Sequence, residues 1–209
     1  MGNEIKKCVI ISGAPENDIS YYNEHIADRY VICADSGYIK CLSAGIKPDL
    51  IIADFDSSPR PDIECEIITL NVRKDYTDTF HCVLEAIDRG YHDIIILGGI
   101  GSRLDHTYSN ILSVNYAFEN NVSCALISKN CKITIESGCV KIKKGKYKYF
   151  SLFPLFEECV GLSIKGAEYE LDHANLLPSN QLTQSNAFKD DLVTIDIKKG
   201  KIILFLCND

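Results

Sequence analysis

Apolar and polar positions divide the chain into two regions of different periodicity. Over residues 1–128, short apolar runs alternate with segments in which apolar positions recur every three or four residues. Such alternation is typical of parallel strands covered by helices. It predicts an α/β domain with a mostly parallel, Rossmann-like sheet flanked by helices. The predicted strands are 8–12, 31–34, 50–53, 67–70, 94–97 and 123–127, and the predicted helices lie near 19–27, 38–44, 79–89 and 106–120.

The helical period disappears after about residue 129. Short apolar stretches follow instead, separated by Gly, Pro, Asn or Asp turns. This pattern is typical of an all-β domain, and it predicts a β-sandwich over residues 129–209. The predicted strands are 132–136, 147–153, 162–164, 192–197 and 201–206.

Two aspartates follow the apolar run Leu50-Ile51-Ile52-Ala53 directly. Asp54 and Asp56 are two residues apart, so on an extended segment they share a face. Carboxylates about 4 Å apart repel by a few kcal/mol at an intermediate dielectric. Mg²⁺ prefers oxygen ligands and substrate phosphates, and it would remove that repulsion. The pair therefore predicts a cation site that is self-repelling when no cation is bound.

Four more aspartates follow apolar runs or open helices. In an open α/β sheet, ligands bind outside the carboxyl ends of the strands, so these residues are expected to meet in one cleft. Taken singly, each could be a turn or helix-cap residue. Six carboxylates in one cleft, however, have no structural benefit without a cation. The additional residues are Asp35, Asp75, Asp78 and Asp105.

A glycine-rich segment follows the predicted strand 94–97. Gly98, Gly99 and Gly101 would let backbone N–H groups approach a phosphate, although glycines also serve any tight turn. Arg103 strengthens the phosphate interpretation because a guanidinium can bind phosphate oxygens in a bidentate manner.

These motifs, in their order and spacing, resemble those of the thiamin pyrophosphokinase family. The matching blocks are Ala34-Asp35-Ser36-Gly37, Asp54-Phe55-Asp56-Ser57, Lys74-Asp75-Tyr76-Thr77-Asp78 and the segment from Gly98-Gly99 through Arg103-Leu104-Asp105-His106 to Asn110. Weaker matches to the family's C-terminal β domain are residues 151–155 and Ser185-Asn186. The chain departs from the family at Ala53, where glycine is usual, and at Ala187, where glutamate is usual.

The resemblance implies transfer of the pyrophosphoryl group of ATP to the hydroxyl of thiamin, with Mg²⁺ as cofactor and AMP as leaving group. It implies that Asp54, Asp56 and Asp78 bind the metal and act in catalysis together with Asp105. It also implies a homodimer, with Ser185 and Asn186 contacting thiamin near the subunit interface. The residues assigned to ATP and its surroundings are Asp35, Asp75, Gly98, Gly99, Gly101, Ser102, Arg103, His106 and Asn110.

Composition agrees with an enzyme of a reducing, cytoplasmic compartment. With 29 acidic and 22 basic residues the net charge is -7, which argues against a nucleic-acid partner. The ten cysteines form no Cys-x-x-Cys pair. We expect no signal peptide and no membrane association, because no apolar run approaches the length of a membrane span.

Two other classes of function use similar residues. An aspartate-nucleophile phosphohydrolase also carries Asp-x-Asp after an apolar strand, with Asp54 as nucleophile and Asp56 as acid. That motif normally follows the first strand, whereas here it follows a later one. A non-catalytic nucleotide or thiamin sensor would keep the fold but have an eroded metal site, and here all the acids are present.

Overall fold

The structure is a computed structural model that describes residues 5–13, 19, 22–56, 58–101 and 103–209. The chain divides into an N-terminal unit, Met1–Lys129, and a C-terminal unit, Asn130–Asp209. The first is a mixed α/β structure, and the second includes an all-antiparallel sheet, so the coarse fold prediction is confirmed.

The sheet of the N-terminal unit is parallel, in the order β6-β5-β1-β2-β3-β4. Its interior strands are almost entirely buried, which explains their unbroken apolar sequences. The strands are β1 (Lys7–Ile11), β2 (Tyr30–Ala34), β3 (Leu50–Ala53), β4 (Glu66–Thr69), β5 (Asp93–Leu97) and β6 (Ser123–Ile127).

Four helices accompany this sheet in the described part of the unit. The helix α3 begins where the Thr77 hydroxyl accepts a hydrogen bond from the Phe80 amide at 3.2 Å, and its apolar face buries Cys82, Val83 and Ala86. The helix predicted near 19–27 is shorter than expected, and residues 20 and 21 lie outside the described part. None of the described helices is long and apolar enough to span a membrane. The helices are α1 (Asn23–Ile26), α2 (Gly37–Ser43), α3 (Asp78–Asp88) and α4 (Leu104–Glu119).

The direction of the connections reverses between two neighbouring strands. The chain leaves β1 towards β2 on one side and leaves β5 towards β6 on the other, although β1 and β5 are paired. Open α/β sheets bind ligands at such a point, outside the carboxyl ends of the strands. The residues that follow these two ends are Ser12 and Gly13 after β1, and Gly98 and Gly99 after β5.

The C-terminal unit contains two sets of antiparallel strands. One has the order β12-β9-β14-β7 and the other the order β11-β10-β13-β8. A single apolar cluster takes side chains from both sets, including Phe150 and Leu204 from the first and Leu162 and Ile195 from the second. The strands are β7 (Cys131–Glu136), β8 (Cys139–Lys143), β9 (Tyr149–Pro154), β10 (Cys159–Lys165), β11 (Leu171–Leu176), β12 (Asn186–Ala187), β13 (Leu192–Asp196) and β14 (Ile202–Cys207).

Candidate active site

A cavity of about 580 Å³ lies at the carboxyl ends of the parallel strands and gathers most of the residues predicted for the site in this unit. It also takes in Ser12, Gly13, Lys74, Thr77 and Thr79. The predicted residues that line it are Asp35, Asp54, Asp56, Asp78, Gly99, Gly101, Arg103, His106 and Asn110.

Among the described residues predicted for the site in this unit, three do not line the cavity. Asp75 and Gly98 lie beside lining residues in the sequence, and Gly98 adopts a φ of 64°. The Asp105 side chain is 65% exposed and forms an ion pair with Arg103, with 2.5 Å between Nη2 and Oδ2. Arg103 lowers the pKa of the Asp105 carboxyl. Ser57 and Ser102, both predicted from the motifs, lie outside the described residues.

The turns after β2 and β3 hold two residues in the left-handed backbone region. Asp35 has a φ of 49° and Phe55 a φ of 56°. A residue without glycine's freedom costs about 1–3 kcal/mol in such a conformation, and such strain concentrates at functional sites. Hydrogen bonds support both turns: the Asp35 amide donates to the Ile52 carbonyl at 3.0 Å, and the Asp56 amide donates to Asp54 Oδ1 at 3.2 Å. The acids on these two turns, Asp35, Asp54 and Asp56, all line the cavity.

Lys74 joins two of the acids directly. Its Nζ lies 2.5 Å from Asp54 Oδ2 and 2.7 Å from Asp78 Oδ1. All three side chains are largely buried, with 15% of Lys74, 8% of Asp54 and 18% of Asp78 exposed. Asp78 opens α3 four residues after Lys74, whereas Asp54 follows β3, so the lysine connects a helix start to a strand end.

The electrostatic environments of these three groups differ. The hydrogen bond from Lys74 lowers the pKa of Asp54. Burial raises the pKa of Asp78, and the nearby charges of Asp54 and Asp35 add to that effect while Lys74 opposes it. Burial disfavours the Lys74 ammonium, but the two carboxylates outweigh burial and leave the pKa of Lys74 raised.

The predicted three-aspartate metal site is not assembled in the described structure. No group of three His, Cys, Asp or Glu side chains among the described residues is arranged to hold a metal ion. The physical reason is that Lys74 bridges Asp54 and Asp78, while Asp56 is exposed. The donor chemistry nevertheless fits Mg²⁺, because two carboxylates already converge on one positive charge and carboxylate oxygens are the ligands that Mg²⁺ prefers.

The glycine-rich loop is fixed against α4 and β6. The Asn110 amide donates to the Gly99 carbonyl at 2.7 Å, and the Thr107 hydroxyl accepts from the Gly101 amide at 3.2 Å. A Cβ on Gly99 would lie 2.7 Å from Leu126 Cδ1 and 3.0 Å from Asn110 Nδ2. Only glycine therefore fits at this position without movement, and the loop backbone is held at the cavity.

Sequence reasoning missed several polar residues of the cleft. Lys74 lies in the matching block Lys74-Asp75-Tyr76-Thr77-Asp78, but it precedes α3, so the four-residue spacing of ion pairs on a helix does not predict its contact with Asp78. Ser12 is the last residue of the predicted strand 8–12, and its hydroxyl shares a buried hydrogen bond of 2.9 Å with the Thr79 hydroxyl. Lys40 is buried in α2 and donates to the Ser12 carbonyl at 3.1 Å, a contact with no sequence signature.

The two residues predicted to contact thiamin lie in the C-terminal unit. Ser185 is exposed and has a φ of 56°, and its amide donates to the Ser151 hydroxyl at 2.9 Å. Asn186 is only 2% exposed, and its side chain makes two hydrogen bonds to the backbone of Tyr169, at 3.0 and 2.7 Å. A second cavity of about 450 Å³ is lined by Glu168, Tyr169, Glu170, Leu171, Leu182, Thr183 and Asn186.

An open parallel α/β sheet with acids, a lysine and a glycine loop at its switch point belongs to the class of proteins that bind ligands outside the carboxyl ends of their strands. Comparison with known proteins narrows that class. Residues 22–126 match the model of the thiamin pyrophosphokinase catalytic domain, and residues 132–202 match the model of the thiamin pyrophosphokinase vitamin B1 binding domain. The chain therefore belongs to the thiamin pyrophosphokinase family, whose members are kinase-type transferases that make thiamin diphosphate, and the resemblance inferred from the motifs is confirmed.

Individual relatives are distant in sequence. Thiamine pyrophosphokinase 1 of Oryza sativa is 27% identical over 167 residues, which cover 71% of this chain and 62% of the rice protein. Thiamin pyrophosphokinase 1 of Caenorhabditis elegans is 25% identical over 208 residues, covering 87% of this chain and 83% of that protein. The crystal structure of thiamine pyrophosphokinase from Bacillus subtilis superimposes with a TM-score of 0.91 at 26% identity, covering 98% of this chain and all of that one.

Proposed function

We propose that this protein transfers the pyrophosphoryl group of ATP to the hydroxyl of thiamin, which gives thiamin diphosphate and AMP. The observation that carries the proposal is the cleft at the β1/β5 switch point, where acids and a lysine face a fixed glycine loop. Membership of the family supports the same reaction over the phosphohydrolase and sensor alternatives.

In the proposed reaction, the thiamin hydroxyl oxygen attacks the β-phosphorus of ATP. The bond between that phosphorus and the oxygen bridging to the α-phosphorus breaks, and AMP leaves with the bridging oxygen. A carboxylate of the cleft accepts the hydroxyl proton. Such transfers depend mainly on positioning and charge neutralisation, so the cationic groups carry more of the rate than proton transfer.

The proposed ATP site combines the glycine loop with Arg103. The backbone amide of Gly99 is assigned to the phosphates, and Gly98, Gly101, Ser102 and His106 are assigned to the same ATP site. Asn110 supports the loop through its bond to the Gly99 carbonyl. Asp35 is assigned to substrate or solvent near the reacting groups, and Asp75 and Asp105, which do not line the cavity, are assigned to its surroundings.

Asp54 and Asp78, with Asp56 on the same turn as Asp54, are the residues proposed to hold Mg²⁺. When bound there, the ion would supply positive charge to phosphate oxygens during transfer. Asp54 and Asp78 already present oxygen atoms to one cationic group, which supports this assignment.

The C-terminal unit is proposed to bind thiamin and to form a homodimer, with the thiamin site near the subunit interface. Ser185 is assigned a direct contact. Asn186 is assigned an indirect one, since its amide holds the backbone of Tyr169 beside the second cavity.

The finer description of the fold belongs to the same proposal. The apolar cluster shared by the two strand sets of the C-terminal unit supports a β-sandwich, and the strand order of the N-terminal unit supports a Rossmann-like description. A cytoplasmic location belongs to the same proposal.

Incubation with ATP, Mg²⁺ and thiamin tests the reaction, and thiamin diphosphate together with AMP is the expected pair of products.

The assignment of residues to the two substrates can be tested separately. Arg103→Ala is expected to raise KM for ATP first, because it removes a phosphate contact. Ser185→Ala combined with Asn186→Ala is expected to raise KM for thiamin and leave that for ATP nearly unchanged. Equal defects for both substrates in both variants would contradict the assignment.

A further inference from the structure

Lys74 occupies a position that a metal ion would share. Its ammonium lies 2.5 Å from Asp54 Oδ2 and 2.7 Å from Asp78 Oδ1, and the lysine lines the same cavity as the glycine loop. The remaining oxygen of Asp54, Oδ1, accepts the Asp56 amide. One oxygen of Asp54 and one oxygen of Asp78 therefore both contact the lysine.

The charges in this group are unequal. Asp54 and Asp78 carry one negative charge each and Lys74 carries one positive charge, so the three side chains together have a net charge of one negative unit. A divalent cation such as Mg²⁺ would neutralise both carboxylates, and carboxylate oxygens are the ligands that it prefers. An ammonium within hydrogen-bond distance of the same two oxygens leaves no room for that ion between them. Lysine and divalent cation are thus alternatives at one place.

The Lys74 side chain can exchange its carboxylate partners for phosphate oxygens. It is a compact point charge with three donors on a flexible four-carbon stem, and lysine commonly binds phosphates. Gly99, Gly101 and Arg103, residues of the proposed ATP site, line the same cavity as Lys74. A lysine displaced from the carboxylates therefore has phosphate oxygens as an available alternative when nucleotide is present.

We infer that Lys74 is an internal counter-ion, which holds Asp54 and Asp78 together until the divalent cation competes for their oxygens. The displaced lysine side chain then moves, and its ammonium contacts the nucleotide phosphates. This inference rests on the proposed function, because it takes the cation and the phosphates from that reaction. It assigns Lys74 a positioning role that couples metal binding to nucleotide binding.

The first test measures Mn²⁺ binding without nucleotide or thiamin, by the electron paramagnetic resonance signal of free Mn²⁺. Lys74→Met removes the competitor and leaves two carboxylates facing each other, so its Kd for Mn²⁺ is expected to fall at least about tenfold below that of the wild type, a change of about 1.4 kcal/mol. Lys47→Met removes an exposed lysine outside the cavity and is the charge control, expected to change Kd by less than about twofold. Unchanged or weaker Mn²⁺ binding by folded Lys74→Met would overturn the inference.

A second measurement uses the wild-type protein and does not depend on the variant's folding. Acetylation of Lys74 by acetic anhydride, followed by mass spectrometry, is expected to speed up when Mg²⁺ is added and to slow again when ATP follows. Insensitivity of Lys74 to Mg²⁺, at concentrations that saturate Mn²⁺ binding, would contradict displacement. Both tests omit thiamin, so they are independent of the proposed reaction. If Lys74→Met binds Mn²⁺ more tightly but the wild type makes no thiamin diphosphate, the proposed reaction is refuted and the competition between Lys74 and the cation is established.

Discussion

Asp54→Asn removes the negative charge that faces Lys74 and keeps the shape of the side chain. The carboxylate lies 2.5 Å from Lys74 Nζ, and both side chains are largely buried. Breaking a buried pair by removing one partner costs about 3–5 kcal/mol when the other charge is left uncompensated. Here Asp78 still faces the ammonium at 2.7 Å. We therefore expect a smaller loss, about 1.5–3 kcal/mol in the free energy of unfolding, which is typical of one hydrogen bond to a charged group.

The same substitution predicts a pH dependence of known sign. Lys74 lowers the pKa of Asp54, so the folded protein holds that proton less tightly than the unfolded chain does. The carboxylate's contribution is therefore fully present above the unfolded pKa of about 3.9 and is lost as pH falls through the folded pKa. The difference in stability between wild type and Asp54→Asn should be largest near neutral pH and should shrink below about pH 4.

Urea unfolding followed by circular dichroism, with EDTA present, measures both quantities. Asp105→Asn is the matched control, because its carboxylate is exposed and its partner Arg103 lies at the surface. That variant should lose much less stability than Asp54→Asn. If Asp54→Asn is as stable as the wild type at pH 7, or if the difference is the same at pH 7 and below pH 4, the buried ion pair does not stabilise the cleft.

Two further predictions concern steric fit and thiol chemistry. Gly99→Ala places a methyl group 2.7 Å from Leu126 Cδ1, so it should lower the free energy of unfolding in urea by about 1–3 kcal/mol and raise KM for ATP. Gly145→Ala is the control, because its added methyl group would lie 3.9 Å from its nearest neighbour, and it should change neither quantity. Cys207 Sγ lies 3.1 Å from Cys131 Sγ, and the Cys131 thiol lowers the pKa of Cys207. Alkylation of Cys207 should therefore shift to higher pH in Cys131→Ala, which has no hydrogen-bond donor at that position, and an unshifted alkylation profile would refute that pairing.

The parallel strands could be predicted from sequence because burial on both faces leaves an unbroken apolar run. β3 was predicted with its observed bounds, and β5 to within one residue. β8 and β11 were missed for the opposite reason. β8 lies in a lysine-containing segment with only Ile142 buried, and β11 carries exposed Asp172 and His173 beside an irregular register. β11 therefore lacks the alternation on which the prediction depended, whereas β8 alternates but presents little apolar surface.

The convergence of most acids on one cleft also followed from the sequence, because parallel strands end at a common edge. The electrostatics of the cleft did not. Self-repulsion was expected between the acids, and relief of that repulsion would make Asp54→Asn no less stable than the wild type. Lys74 reverses that expectation, but its contact with Asp54 joins residues 20 positions apart and depends on how α3 approaches β3. Asp105 was expected with the other acids, yet its neighbour Arg103 holds it at the exposed start of α4.

The fate of the β-phosphorus of ATP tests the proposed reaction most directly. The protein is incubated with thiamin, Mg²⁺ and ATP labelled at the β-phosphorus, and the products are separated. Pyrophosphoryl transfer predicts that the label enters thiamin diphosphate in a one-to-one ratio with AMP formed, and that Asp54→Asn slows both products about a hundredfold or more. Label in inorganic phosphate, pyrophosphate or ADP, or no turnover by the folded wild-type protein, would contradict the proposed function.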